Sequence, residues 1–234
     1  MTQITRAVNE PILSFAAGSP ERASLQAKYD EMATQTIEIP LIIDGKEIKT
    51  GDTGNCVMPH NHQHVLATYH KAGETEVIQA IDAAMKSWKT WSTTTLEERT
   101  KIFRKAAELL QGPWRDTINA ATMLNQSKNA FQAEVDAACE LIDFFNFNAQ
   151  YAEEITANQP LISPEGMHNH LEYRPLEGFV FAITPFNFTS IAGNLPSAPA
   201  LMGNVALWKP ASSAVLPCYY IMKMLEEAGL PAGV

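Results

Sequence analysis

Apolar residues recur every three or four positions through the middle of the chain, which predicts a series of amphipathic helices. Thr95, with Glu98 three residues later, has the pattern of a capping box, and Gly112-Pro113 marks the end of that helix. Because each helix has one apolar face, we expect the helices to pack on a second layer, most simply a sheet. The four predicted helices span residues 74–91, 95–111, 115–124 and 131–152.

Shorter patterns and turn signals characterise the N-terminal part of the chain. Residues 1–37 are predicted to form an arm, in which Ser19 caps a short helix that starts at Pro20 and ends near Met32. Further on, Asp44-Gly45 separates two apolar runs by two residues, which predicts a hairpin. The predicted strands are residues 37–43, 46–48 and 65–70.

The C-terminal part alternates between short apolar runs and helical patterns. The predicted order is strand 179–183, helix 190–202, strand 205–208 and helix 215–228, and both strands are expected to be buried. A βαβα order of this kind predicts a parallel sheet with a right-handed crossover. The predicted fold class is therefore α/β, with an incomplete Rossmann-like parallel sheet, because two strands are too few for a complete doubly wound sheet.

Residues 160–178 interrupt this pattern with three prolines and two glycines. Within them, His170–Tyr173 alternates weakly, as an edge strand or a strand that pairs with a partner would. The predicted organisation has four parts. They are an arm (1–37), the hairpin and helices (38–159), the excursion (160–178) and the first βαβα unit (179–234).

The composition excludes several classes of protein. The net charge is −9 with no cluster of Lys and Arg, so nucleic acid is not expected as a partner. Three cysteines without paired spacing argue against a disulfide framework and suit a reducing compartment. The first residues do not resemble a secretory signal, and no apolar run is long enough for a membrane helix. We therefore expect a cytoplasmic location and no membrane partner.

Two polar side chains stand at the ends of the predicted parallel strands. Asn187 follows the first strand closely, and Lys209 ends the second. Ligands of open parallel sheets bind outside the carboxyl ends of the strands, so both residues are candidates for a cofactor site. Spacing alone favours the alternatives, an Asn that satisfies turn backbone and an ordinary surface lysine.

Several segments together resemble the aldehyde dehydrogenase superfamily, and in particular its Δ1-pyrroline-5-carboxylate dehydrogenase branch. The resemblance extends over essentially the whole chain, and its specificity comes from the combination of segments. The superfamily segments are TPFNF at 184–188, APALMGN at 198–204, WKP at 208–210 and EAGLPAGV at 227–234. The branch segments are NEPILSF at 9–15, GSPER at 18–22, QAEVDAA at 132–138 and ELIDFF at 140–145.

This resemblance implies an NAD-dependent oxidation of L-glutamate γ-semialdehyde to L-glutamate, the second step of proline degradation. Asn187 would donate its amide to the oxyanion that forms during catalysis, a role that often supplies a large part of the rate enhancement. Lys209 would hydrogen-bond the adenosine ribose of NAD. The residues implied to line the rest of the dinucleotide cleft are Thr184, Pro185, Phe186 and Ser212. Many relatives have a glutamate at the position of Ser212, so NAD rather than NADP is inferred from the family match alone.

The resemblance also implies two substrate contacts. Phe188 stands where many aldehyde dehydrogenases have proline, and it would wall an aromatic pocket around a short aliphatic chain; a core phenylalanine is the alternative. Glu134 lies on the longest predicted helix and would reach the substrate entrance; an exposed helix carboxylate is the alternative. Residues 160–178 resemble an oligomerisation arm, which implies a homodimer or a larger homo-oligomer.

His60, His62 and His64 alternate along the chain and raise the possibility of a metal site. Pro59 and Asn61 predict a turn there, and no cysteine or carboxylate completes a ligand set, so no metal is predicted.

None of the cysteines has the surroundings of a catalytic nucleophile. Cys139 and Cys218 fall among apolar helix positions, and Cys56 lies in a hairpin region without a base. We therefore expect the 234 residues to be an N-terminal portion of an enzyme that does not turn over substrate alone. Oxidation of the semialdehyde by the purified chain would contradict this expectation. A non-catalytic nucleotide-binding or dimerisation module, and an aldehyde dehydrogenase with another substrate, are the alternatives.

Overall fold

The computed structural model describes residues 4–234, so the first three residues of the predicted arm lie outside it. It is a mixed α/β fold whose two cores are joined by long helices. The strands are β1 (Ile37–Ile39), β2 (Leu41–Ile43), β3 (Lys46–Ile48), β4 (Thr53–Met58), β5 (Asn61–His70), β6 (Val180–Ile183) and β7 (Ala206–Lys209). The helices are α1 (Pro20–Ala33), α2 (Glu74–Trp91), α3 (Leu96–Gln111), α4 (Arg115–Gln126), α5 (Ala130–Ala133), α6 (Leu141–Ala157), α7 (Thr189–Leu201) and α8 (Val215–Glu227).

The C-terminal βαβα unit confirms the predicted α/β class. β6 and β7 pair in parallel, with α7 between them in the chain, and Ile183 at the end of β6 is opposite Lys209 at the end of β7. Beyond β7, the amide of Ala206 donates to the carbonyl of Val234 at 3.1 Å. The carboxyl ends of the two strands therefore meet at one edge of the sheet, as the sequence predicts.

The N-terminal strands differ in part from the prediction. The hairpin of β2 and β3 forms around Asp44-Gly45, but the apolar run 37–43 is two strands rather than one. Its first half is β1, which pairs in parallel with β5, and Pro40 separates it from β2. Proline has no amide to donate, so a ladder ends there readily. β4, which was not predicted, pairs antiparallel with β5, and β5 begins four residues before the predicted start at Val65.

Helix starts follow the predicted capping residues. The Ser19 hydroxyl accepts from the amide of Arg22 at the start of α1, and Thr95 and Glu98 form the reciprocal capping box of α3. α2 has the predicted bounds, but its predicted buried face is wrong in part. Val77 and Ile78 are about half exposed, because only the later turns of α2 reach the main core.

The longest predicted helix is interrupted. Residues Glu134–Glu140 form a π-helical segment between α5 and α6. Phe131, at the start of the predicted helix, is exposed instead of buried. Side chains two positions apart face opposite sides of a regular α-helix. Here Glu134 and Asp136 are both buried, and each binds a different neighbouring element. A regular period of 3.6 residues therefore described the later turns correctly and this segment incorrectly.

Two surfaces are more exposed than the sequence predicts. Residues 160–178 form no strand in the described chain, so the predicted edge strand at 170–173 is absent here, and apolar side chains along this segment face solvent. β6 is not fully buried either. α7 contacts the sheet, Ala182 is buried, and Phe181 and Ile183 are more than half exposed.

Within residues 4–234, no helix combines the length and apolar character required to cross a bilayer.

Candidate functional site

The carboxyl ends of β6 and β7 form the floor of the candidate site. Thr184 follows β6 directly, and its amide donates to the carbonyl of Lys209 at 3.2 Å. The indole Nε1 of Trp208 donates to the Thr184 hydroxyl at 3.1 Å, and Thr184 itself is buried. These contacts fix the point at which the chain leaves the sheet. The Lys209 side chain is exposed at the same edge.

The loop between β6 and α7 carries most of the other predicted residues. Phe186, Asn187 and Phe188 are exposed, and Pro185 is half-buried. Ser212 is also exposed, in the turn between β7 and α8. The structure therefore places the five predicted cofactor residues and Asn187 at or just beyond the two strand ends, where all of them are exposed except the buried Thr184 and the half-buried Pro185.

Lys128, which the sequence analysis missed, anchors this loop from the α4–α5 connection. Its Nζ donates to the carbonyl of Asn187 at 2.6 Å and forms an ion pair with Asp136 at 2.5 Å. The same ammonium lies 4.6 Å from the centre of the Phe188 ring, a cation–π distance. The backbone of Asn187 and the ring of Phe188 are thus held by a single cation.

Asp136, on the π-helical segment, binds the start of α7. Its carboxylate accepts from the amides of Thr189 and Ser190 at 3.1 and 3.2 Å, and from the Ser190 hydroxyl at 2.8 Å. A carboxylate at this position satisfies amides that the first turn of a helix leaves free, and it interacts favourably with the helix dipole. The sequence gives one signal for this role of Asp136, which is its position between two apolar residues in a helix that is predicted to pack on a core.

Glu134 lies two residues before Asp136 and belongs to a separate buried network. Its carboxylate accepts from Arg115 at 2.5 and 3.3 Å, from Asn119 at 2.8 Å and from the amide of Leu13 at 2.9 Å. Arg115 also binds Glu10 at 2.6 Å. Burial alone would lower the pKa of Arg115, but hydrogen bonds to Glu134 and Glu10 raise its pKa overall. The network ties the N-terminal arm to α4 and the π-helical segment.

This burial corrects the alternative in which Glu134 is an exposed helix carboxylate. Its side chain has no exposed surface, and three protein groups, the Leu13 amide, the Asn119 side chain and Arg115, already donate to it or pair with it. The structure does not bring Glu134 to the loop of Asn187 and Phe188. A contact between Glu134 and substrate stays a prediction.

Comparisons with known proteins show the family of this chain. A sequence model described as the aldehyde dehydrogenase family matches residues 47–234. The chain belongs to the aldehyde dehydrogenase family. The predicted resemblance to the Δ1-pyrroline-5-carboxylate dehydrogenase branch is also confirmed by relatives that match along the whole chain.

Two curated relatives and one solved structure illustrate the match. Delta-1-pyrroline-5-carboxylate dehydrogenase of Agaricus bisporus is 50% identical over 227 residues, which are 97% of this chain and 42% of the relative. The human mitochondrial protein of the same name is 46% identical over 233 residues, covering 100% of this chain and 41% of its own length. The crystal structure of the Mycobacterium tuberculosis protein bound with NAD has 48% identity and a TM-score of 0.97, and it covers 100% of this chain and 44% of that one. This aldehyde dehydrogenase chain thus spans less than half the length of these relatives.

All three cysteines of this aldehyde dehydrogenase chain are free and buried. Burial raises the pKa of Cys56 to about 11, and burial together with the Glu134 charge raises the pKa of Cys139 to about 12. Burial also raises the pKa of Cys218. A thiol attacks as its thiolate, so none of the three has the activation that a nucleophile requires at neutral pH.

We therefore expect slow thiol labelling in the native chain. At neutral pH, Ellman's reagent should modify fewer than one thiol per chain over minutes, because burial limits both access and thiolate formation. In concentrated guanidinium chloride all three should react at once. Rapid modification of one native thiol would show that one cysteine is activated and accessible.

The histidines of the β4–β5 turn do not converge. His60 lies in the turn, where its Nδ1 is 2.7 Å from the Ser127 hydroxyl, and His62 and His64 lie on exposed or half-buried positions of β5. Across residues 4–234, no three His, Cys, Asp or Glu side chains are arranged to hold a metal ion.

Proposed function

We propose that this chain is the N-terminal part of an NAD-dependent aldehyde dehydrogenase that oxidises L-glutamate γ-semialdehyde, derived from Δ1-pyrroline-5-carboxylate, to L-glutamate. One observation carries the proposal. The parallel register that places Ile183 opposite Lys209 brings Lys209 and the Thr184–Phe188 loop to one edge of the sheet. The relatives named delta-1-pyrroline-5-carboxylate dehydrogenase support the choice of substrate.

The strand-end residues fit a dinucleotide. Lys209 and Ser212 offer exposed donors, Phe186 offers an exposed apolar face, and Thr184 and Pro185 supply the backbone at a parallel strand end. NAD, when bound, supplies the acceptor for the hydride that leaves the substrate carbon. Lys209 would donate to ribose hydroxyls of the adenosine, and the Thr184–Phe186 backbone would line the cleft. Of these residues, Lys209 and Phe186 are exposed, whereas Thr184 is buried and would contribute its backbone alone.

Asn187 and Phe188 would act on the substrate. Addition of a thiolate to an aldehyde places negative charge on the former carbonyl oxygen, and a positioned amide donor stabilises that charge. Asn187 is exposed, and its backbone carbonyl accepts from Lys128, which anchors the loop that carries the amide. Phe188 would wall the pocket for the aliphatic chain. The attacking thiolate would come from outside these 234 residues, because Cys56, Cys139 and Cys218 are buried with raised pKa values.

The proposal includes a partner and a location. The exposed apolar side chains of residues 160–178 support pairing with a second copy, as a homodimer or a larger oligomer. Free cysteines suit a reducing compartment such as the cytoplasm, and the mitochondrial names of the human and rat relatives make the mitochondrion the alternative.

Binding of NAD by the purified chain tests the cofactor part of the proposal. We expect saturable binding by calorimetry, weakened about tenfold by Lys209→Gln, the loss expected for about 1.4 kcal/mol of charge-assisted hydrogen bonding. Lys223→Gln is the matched control, because Lys223 lies on α8 and pairs with Glu226. Equal NAD affinity of the Lys209 and Lys223 variants, or no saturable binding, would contradict the assignment of Lys209.

A nucleotide-binding module without catalytic activity is the second candidate, and the lack of an activated thiol favours it. Measurements on the protein isolated from its native host distinguish this module from an enzyme. Immunoprecipitation followed by intact-mass measurement should give a mass well above the 25.8 kDa of this chain. The same sample should form NADH with L-glutamate γ-semialdehyde faster than with butyraldehyde. A mass of 25.8 kDa without NADH formation would favour the module, and preference for butyraldehyde would favour another substrate.

A further inference from the structure

A cleft of about 640 Å³ opens between α1, the N-terminal arm, the β4–β5 turn and the α4–α5 connection. We propose that it binds a small organic anion with a planar apolar body. The cleft adjoins the strand-end site through Lys128, but none of the residues predicted for NAD or substrate lines it. Its volume falls within the range of small-molecule sites. The residues that carry the argument are Phe15, Arg22, Tyr29, His60, Lys128 and Phe131.

The charge of the wall favours an anion. Arg22, His60 and Lys128 line the cleft, and no Asp or Glu is among the described residues that line it. The chain as a whole has a net charge of −9, so a wall without carboxylates contrasts with the rest of the surface. Asp136 already neutralises Lys128, whereas the Arg22 side chain is exposed. Arg22 is therefore the main charge offered to a ligand, and its planar guanidinium suits a carboxylate.

The apolar part of the wall favours a planar ligand body. Phe15 and Tyr29 lie beside Leu25 and Met123, and Phe131 stands at the wall with more than half of its surface exposed. An exposed aromatic ring next to a cleft provides a stacking surface for a planar group. This also accounts for Phe131, which the helical pattern predicted to be buried.

The backbone around the cleft adopts rare conformations. Phe15 and Ser127 both have positive φ angles, 48° and 54°, and both line the cleft. Local structure accounts for two of the three non-glycine residues with positive φ, because Asp44 lies in the tight hairpin turn and Ser127 is the left-handed C-cap of α4. Positive φ is uncommon for a bulky residue such as phenylalanine, and such residues concentrate at binding sites. The Ser127 hydroxyl lies 2.7 Å from His60 Nδ1 and joins two sides of the cleft.

Titration with 2-naphthoate, followed through methionine methyl signals in NMR spectra, tests the proposal. We expect saturable shifts of Met123, which lines the cleft, and not of Met167, which is exposed on the apolar 160–178 segment. Neutral 2-naphthamide should bind about tenfold more weakly, and Arg22→Gln should weaken 2-naphthoate by a similar factor, as expected for one charge-assisted hydrogen bond. Inorganic phosphate, which lacks the planar body, should not saturate the site. Arg22 is the variant of choice because Lys128 also holds Asn187.

Arg174→Gln is the matched control, because Arg174 is exposed and pairs only loosely with Glu177, at 3.9 Å. Equal weakening by Arg22→Gln and Arg174→Gln would overturn the proposal, as would equal affinity for the naphthoate and the naphthamide. Shifts at Met167 without shifts at Met123 would assign the binding to the exposed apolar segment instead. Saturable binding of inorganic phosphate in the cleft would contradict the proposal that the ligand needs a planar apolar body. Neither the probe nor Met123 depends on NAD, so failure here is distinguishable from failure of the dehydrogenase proposal.

Discussion

Replacement of Arg115 by methionine is expected to lower the free energy of unfolding by about 3–5 kcal/mol, the usual loss when one partner of a buried ion pair is removed. Arg115 is 7% exposed and Glu134 is 0% exposed, and the guanidinium binds both Glu134 and Glu10. Methionine keeps much of the apolar stem but leaves the Glu134 carboxylate buried without its cation. The amide contacts of Asn119 and Leu13 remain and compensate for only part of that loss.

Urea denaturation followed by circular dichroism measures this effect. Arg104→Met is the control, because Arg104 forms a bidentate ion pair with Glu153. Both side chains of this pair keep more than a fifth of their surface exposed. We expect a loss of about 1 kcal/mol for Arg104→Met, since solvent screens partly exposed pairs. If Arg115→Met and Arg104→Met cost the same, the Glu134 network does not stabilise the chain as its geometry indicates. A less-than-additive double variant, Arg115→Met with Glu134→Gln, would locate the loss in the pair.

Replacement of Asp136 by alanine is expected to cost about 3 kcal/mol and to loosen the Asn187 loop. The change removes the acceptor of two buried amides at the start of α7 and leaves Lys128 without its carboxylate partner. Each unsatisfied buried donor costs about 1–3 kcal/mol, and the partly exposed Lys128 recovers some hydration. Lys128 then has no fixed position from which to hold the Asn187 carbonyl.

Urea denaturation measures the stability change, and hydrogen exchange of the 184–190 segment measures the loosening. We expect exchange of the Thr189 and Ser190 amides to accelerate by about 100-fold, the equivalent of roughly 3 kcal/mol in a local opening equilibrium. Asp30→Ala is the control, because Asp30 is exposed and accepts only from Gln26 on the same helix. It should change stability by less than about 0.5 kcal/mol. Unchanged exchange at Thr189 and Ser190 in Asp136→Ala would show that Asp136 does not hold this loop.

Features that depend on neighbouring residues could be predicted from the sequence. The helix starts at Ser19 and Thr95 follow from side chains that cap amides three residues away, and the Asp44-Gly45 turn follows from its backbone preferences. The βαβα order implies a parallel pair, and with it the meeting of Lys209 and the Thr184–Phe188 loop at one edge. Helix caps and turns depend on residues close together in the chain, and the parallel strand pair depends on the order of the elements. The sequence therefore predicts all three.

The burial of the charged residues, and the contacts that they make, became visible in the three-dimensional fold alone. Lys128 and Asn187 are 59 residues apart, and Glu10 and Arg115 are 105 apart, so no local pattern pairs them. The π-helical segment, which buries both Glu134 and Asp136, departs from the period on which helical predictions rest. Burial of a charge depends on partners that arrive from distant segments, because desolvation is tolerated only when those partners are present. The strand ends thus came from the sequence, and the buried charges that hold the loop between them came from the fold.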